Sequence, residues 1–198
     1  MRSDPQQDLA YIRQVMEQTR RFTVISGSYM IVWGVLISAG LGFDLWELHT
    51  AARIPDGDIW LGLIVAGWLL TFWLQRREAR YEPVASYASR LIGQIWLACG
   101  VAMTVAFTVG AMTGAVPGSS DGGLMALFVG IGVFMTGVLT GMAWFRNLAL
   151  GWLAASIAMF VWHGQAAMWI SMGLLLGCFV VPGVILNLQA KALRKTQP

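Results

Sequence analysis

The chain has 198 residues, of which 57% are hydrophobic and only 12% charged, and its net charge is +3. A soluble domain carries roughly a quarter charged residues, and no soluble core of this size could take up so much apolar surface. Between Asp121 and Lys191 the single formal charge is Arg146, so that half of the chain must face lipid rather than water.

The first element is polar. In SDPQQDLAYIRQVMEQTRRF, Asp4 can cap a helix, Pro5 suits its first position and Gln7 stands where a capping-box partner belongs. Leu9, Ile12, Met16 and Thr19 share one face, with Arg13, Glu17 and Arg20 elsewhere around the turn. Residues 1–22 are therefore expected to form a cytoplasmic amphipathic helix. It would lie on the inner membrane surface, Arg20 and Arg21 meeting anionic headgroups, or dock on a cytoplasmic or membrane protein partner.

Six apolar runs follow, at about 23–43, 59–75, 91–113, 123–144, 148–163 and 166–187. A helix that crosses a hydrocarbon layer of about 30 Å needs about 20 mostly apolar residues, and membrane-spanning strands would alternate instead. The fold expected is all-α: a polytopic bundle of six transmembrane helices over 23–187, with a basic cytoplasmic tail at 188–198. The first run begins too far along the chain, and too much membrane sequence follows it, for a cleaved signal peptide.

Between the first two runs, DLWELHTAARIPDGDIW holds Asp44, Glu47, His49, Asp56 and Asp58 between Trp46 and Trp60. The tryptophans suit the membrane interface. The acids lack the spacing of a calcium loop, and His163, the other histidine on that side, belongs to a different hairpin. His49 and His163 are the candidates for an outer-face metal or redox site, but a solvated loop is the preferred expectation, with no metal and no cofactor.

Small residues recur at multiples of four: Ser26, Gly34, Ser38 and Gly42 in the first run, and Ala98, Ala102, Ala106, Gly110 and Gly114 in the third. Gly137 and Gly141, and Gly173 and Gly177, make GxxxG pairs in the fourth and sixth. Such stripes let helix backbones approach closely, here expected within the chain rather than across a homo-oligomer seam. Cys99 and Cys178 fall inside runs and read as packing residues.

RLIGQIWLACGVAM from Arg90 and RNLALGWLAASIAM from Arg146 align without gaps, matching Trp96 to Trp152, Ala102 to Ala158 and Met103 to Met159. The third and fifth helices look like copies, and three hairpins inserted in the same direction are expected rather than an inverted repeat. With the N-terminus inside, twelve of the thirteen basic residues are cytoplasmic and only Arg53 is outside. Basic residues gather on the cytoplasmic side, so both termini are placed there. Arg146 then sits in the short turn FRN between the fourth and fifth helices and marks topology rather than acting as a charge at depth.

No Asp, Glu, Lys, Arg or His stands in the middle of a run. Ion-coupled transport, proton pumping and voltage sensing depend on such groups. Retinal and haem sites, HExxH metalloprotease chemistry and phosphate-binding loops also lack their residues, and nothing suggests nucleic acid. The polar residues within the runs are mild. Ser38, Gln94, Thr104, Thr108, Thr136, Thr140, Ser156 and Ser171 are the candidates to line a narrow path or cavity, if they do more than tie helices together. The ten tryptophans and eleven methionines read as filler or lipid-facing residues, with an adaptable apolar pocket as the alternative.

DLAYIRQVMEQTRRFTVISG leading into six Gly-rich helices resembles uncharacterised small bacterial inner-membrane proteins, and the three-hairpin plan is similar to that of HdeD-like acid-resistance membrane proteins. The likeness is one of layout and carries no site residue. It implies an integral protein of the bacterial inner (cytoplasmic) membrane. The function expected is a non-enzymatic scaffold, sensor or accessory subunit. The alternatives are a passive facilitator or binder of a small neutral or lipid-like molecule, and an outer-face metal- or redox-linked protein.

Overall fold

The computed structural model describes residues 27–50, 56–79 and 87–195. The amphipathic helix expected over 1–22 lies outside them. Among the described residues the protein is all-helical: α1 (Ser28–Glu47), α2 (Asp56–Ala79), α3 (Tyr87–Thr113), a 3-10 turn (Gly118–Ser120), α4 (Asp121–Thr140), α5 (Ala143–Val161), α6 (Gln165–Leu175), a π-helical turn (Leu176–Val180) and α7 (Val181–Lys195). α6, the π turn and the start of α7 form one span, giving six spans long and apolar enough to cross a membrane. The helix continues to Lys195, so the stretch expected as a tail begins as helix.

One boundary departs from expectation. The turn between the fourth and fifth spans falls at Gly141 and Met142, not at Phe145, Arg146 and Asn147, which belong to the first turn of α5 and the residues next to it. Gly141 ends α4 in the left-handed conformation, at φ 68°, which costs a glycine nothing and stops the helix. Hydropathy placed the turn where a charge interrupts the apolar run, whereas the backbone turns where a glycine permits it. Arg146 is exposed at the end of its span, within reach of a headgroup layer.

That tight turn lays α4 along α5, the most extensive helix pair in the bundle. Gly137 makes it possible: a Cβ there would stand 2.6 Å from the Arg146 backbone nitrogen. Gly27 and Gly183 allow a second backbone contact, between the start of α1 and the start of α7. α1 packs along the whole sixth span and against α2, while α5 meets α6 less extensively than it meets α4.

Pro182 explains the π turn. Its ring has no N–H and would collide with the carbonyl four residues back, so the helix widens. The Val181 N–H bonds the Leu176 carbonyl, five residues back. The widened turn carries Phe179 into the centre of the bundle, where Trp96 and Trp152 lie with ring centroids 5.7 and 5.9 Å from it. These are the tryptophans matched in the internal repeat, so the two copies converge on one phenylalanine.

Candidate functional site

A series of indole-to-hydroxyl hydrogen bonds runs between consecutive helices. Trp33 of α1 donates to the Thr71 hydroxyl of α2 at 2.9 Å. Trp68 of α2 donates to Thr104 of α3 at 3.4 Å, and Trp96 of α3 to Thr136 of α4 at 3.0 Å. Thr104 and Thr136 are set to accept because each hydroxyl gives its own proton to a carbonyl one turn back, that of Gly100 at 2.8 Å and that of Gly132 at 2.7 Å. Glycine makes room for the rings: a Cβ at Gly67 would strike Trp33, and one at Gly100 or Gly132 would press on Trp68 or Trp96.

The series continues with smaller groups. Ser156 of α5 donates to the Gly123 carbonyl of α4 at 2.8 Å, and Ser171 of α6 to the Met159 sulfur of α5 at 3.1 Å. Asn187 of α7 donates to the Ser28 hydroxyl of α1 at 3.2 Å, which closes the circle. Each interhelical bond of this kind contributes about 0.6 kcal/mol on average in a bilayer, so the set fixes register more than it supplies stability.

The eight polar candidates thus divide. Thr104, Thr136, Ser156 and Ser171 tie helices, and Thr140 bonds the Thr136 carbonyl of its own helix at 2.8 Å. Thr108 is half-buried. Ser38 has a buried hydroxyl with no hydrogen-bond partner among the described residues, a state shared by the indole nitrogen of the fully buried Trp152. Gln94 is exposed on the outside of α3. The tryptophan donors escaped sequence reasoning. The signal was there in part, since each lies 36 to 40 residues before a threonine, about the length of one hairpin.

At the end of the bundle where α1 meets α2, Asp44 lies in the last turn of α1 and accepts from the Trp60 indole at 3.2 Å, so it braces those two helices. The His49 ring nitrogen Nδ1 is 2.7 Å from the Leu45 carbonyl, and His163 is exposed in the link between α5 and α6. Asp56 and Asp58 have side chains outside the described set. Among the described residues no three His, Cys, Asp or Glu gather as a metal site.

On the outer surface, α2 and α3 splay apart around an apolar groove of about 390 Å³ lined by Trp68, Phe72, Leu97, Val101, Thr104 and Val105. Glycines also face outward, with nothing among the described residues within 4 Å of where a Cβ would be: Gly62, Gly93, Gly151, Gly173 and Gly177. The GxxxG pair of the sixth span, expected to pack within the chain, is therefore turned away from the other described helices.

Compared with known proteins, the chain matches no family model, no curated protein and no solved structure.

Proposed function

We propose that the chain is a non-enzymatic integral protein of the bacterial inner membrane, with both termini cytoplasmic, that serves as a scaffold, sensor or accessory subunit. The observation that supports this most is the use made of its polar side chains. Four of the eight hydroxyl and amide candidates hold helix to helix, and the charged residues of the described spans stand near the span ends. A bundle whose polar groups serve its own rigidity is suited to present surfaces, here the outward glycine faces and the polar N-terminal segment.

Deleting residues 1–18 is expected to abolish co-purification of a partner in mild detergent while the bundle still folds. Absence of any partner from both the full chain and the deletion would count against the scaffold. Orientation has its own test. A cysteine at Ser119 is expected to react with a membrane-impermeant maleimide on intact spheroplasts, and one at Asn147 only after the membrane is opened. The opposite pattern would invert the topology.

The groove between α2 and α3 favours a second reading, a binder of a lipid-like molecule.

A further inference from the structure

The groove between α2 and α3 is apolar at depth and basic at one end. On α2, Trp68, Phe72 and Arg76 follow one another at intervals of four, so the guanidinium crowns the face that lines the groove. On α3, Arg90, Gln94, Leu97, Val101 and Val105 recur at steps of four, three, four and four, again one face. Arg76, Arg90 and Gln94 are all exposed. Arg77 adds a third cation at that end, 5.5 Å over the Trp73 ring. The nearby carboxylate of Glu78 is turned to the other side of α2, where it accepts the Tyr29 hydroxyl of α1 at 3.0 Å. Among the described residues, the mouth of the groove therefore carries Arg76, Arg77 and Arg90 with no carboxylate turned into it.

Gln94 is the unexplained group here. Its primary amide is exposed on the outer face of a spanning helix, within the apolar segment Ser89–Gly110, and has no hydrogen-bond partner among the described residues, which is costly where lipid replaces water. At 1.5 Å per residue it lies about 6 Å along α3 from Arg90, with Val105 about 22 Å along. On α2, Phe72 and Trp68 lie about 6 and 12 Å from Arg76. The Trp68–Thr104 bond sets the Arg76 backbone about level with Gln94, and its side chain is long enough to extend toward the level of Arg90. On α3 the order cation, amide, apolar wall matches phosphate, ester carbonyl and acyl chain in one leaflet of a bilayer whose hydrocarbon core is about 30 Å thick.

The geometry points to this groove as a binding site for an anionic phospholipid. Arg76 and Arg90 take the phosphate, the Gln94 amide donates to an ester carbonyl, and the acyl chain lies against Trp68, Phe72 and Val101. Trp68 forms the floor, held there by its bond to Thr104 and by the missing side chain of Gly100. The site rests on the lipid-binding reading above and is independent of the scaffold.

The test uses the full chain in phosphatidylcholine nanodiscs doped with phosphatidylglycerol, or with phosphatidylcholine, carrying the same photoreactive acyl chain. After irradiation the adducts are located by peptide mass spectrometry. Adducts are expected on 68–72 and 97–105, roughly tenfold more with the glycerol headgroup, since two arginines act on it. Arg76→Gln with Arg90→Gln should remove the preference. Val101→Trp, which fills the groove, should remove the adducts, whereas Ile157→Trp on the outer face of α5 should change nothing. Equal labelling of the groove by both lipids would overturn the headgroup site and leave a lipid-like binder standing. Labelling spread evenly over all outward faces would overturn both. Adducts displaced by crosslinks between copies of the chain would assign the groove to a homo-oligomer instead.

Discussion

Gly137→Ala is expected to lower the midpoint of thermal unfolding in mild detergent by roughly 6 °C, while Gly173→Ala leaves it unchanged. Both glycines stand in GxxxG pairs. A Cβ at Gly137 would lie 2.6 Å from the backbone nitrogen of Arg146 and 2.9 Å from its Cα, so a helix rather than a flexible side chain must move. Overpacking of that kind costs about 2 kcal/mol, and each kcal/mol moves the midpoint of a chain this size by about 2 to 4 °C. At Gly173 nothing among the described residues lies within 4 Å, and alanine is the better helix former. The protein supplies its own reporters: Cys99 is buried and Cys178 half-buried, so a thiol-reactive dye lights up as the bundle opens. Equal shifts for the two variants would mean that the α4–α5 contact is looser than described.

The second large effect is at Trp152. Trp152→Ala is expected to cost about 3 kcal/mol or more, because the ring is fully buried and packs edge-on against Phe179 at the π turn. Trp152→Phe should be near neutral. It keeps most of the ring, and it removes an indole N–H that is buried without a partner among the described residues, a group that itself costs about 1 to 3 kcal/mol. Its repeat counterpart should behave differently. Trp96→Phe gives up the bond to Thr136 and should cost about 1 kcal/mol. Thermal unfolding of the three variants side by side checks the ordering. A Trp152→Phe variant as damaged as Trp152→Ala would show that the nitrogen is bonded after all.

The six spans were legible because hydropathy reports what faces lipid, and each of the six runs overlaps a helix. What hydropathy does not report is which neighbour a helix meets. It set the fourth turn at Arg146, four residues beyond the last residue of the turn that Gly141 makes. The two GxxxG pairs are alike as text. One is split between a close approach at Gly137 and a helix stop at Gly141, and the other faces outward, a difference that only the arrangement of helices decides. Tryptophan misled in a different way. Its bulk and its preference for interfaces suggest a lipid-facing residue, yet three indole nitrogens reach a threonine on the next helix because glycines beneath the rings let them lie across it. Gln94 was legible as a polar residue in need of partners, but its outward direction was not.

The order of the ties bears on how the chain is made. Those from α1 through α6 each join a helix to the one synthesised just before it, with partners 12 to 40 residues apart. A newly inserted helix therefore finds its mate already waiting in the bilayer, and nascent intermediates gain native latches one by one during translation. Asn187 and Ser28 are 159 residues apart and can meet only when the last helix has left the ribosome. Until that clasp shuts, the α1–α2 pair, itself joined by Trp33 and Thr71, is tied to the later helices through the Trp68–Thr104 bond.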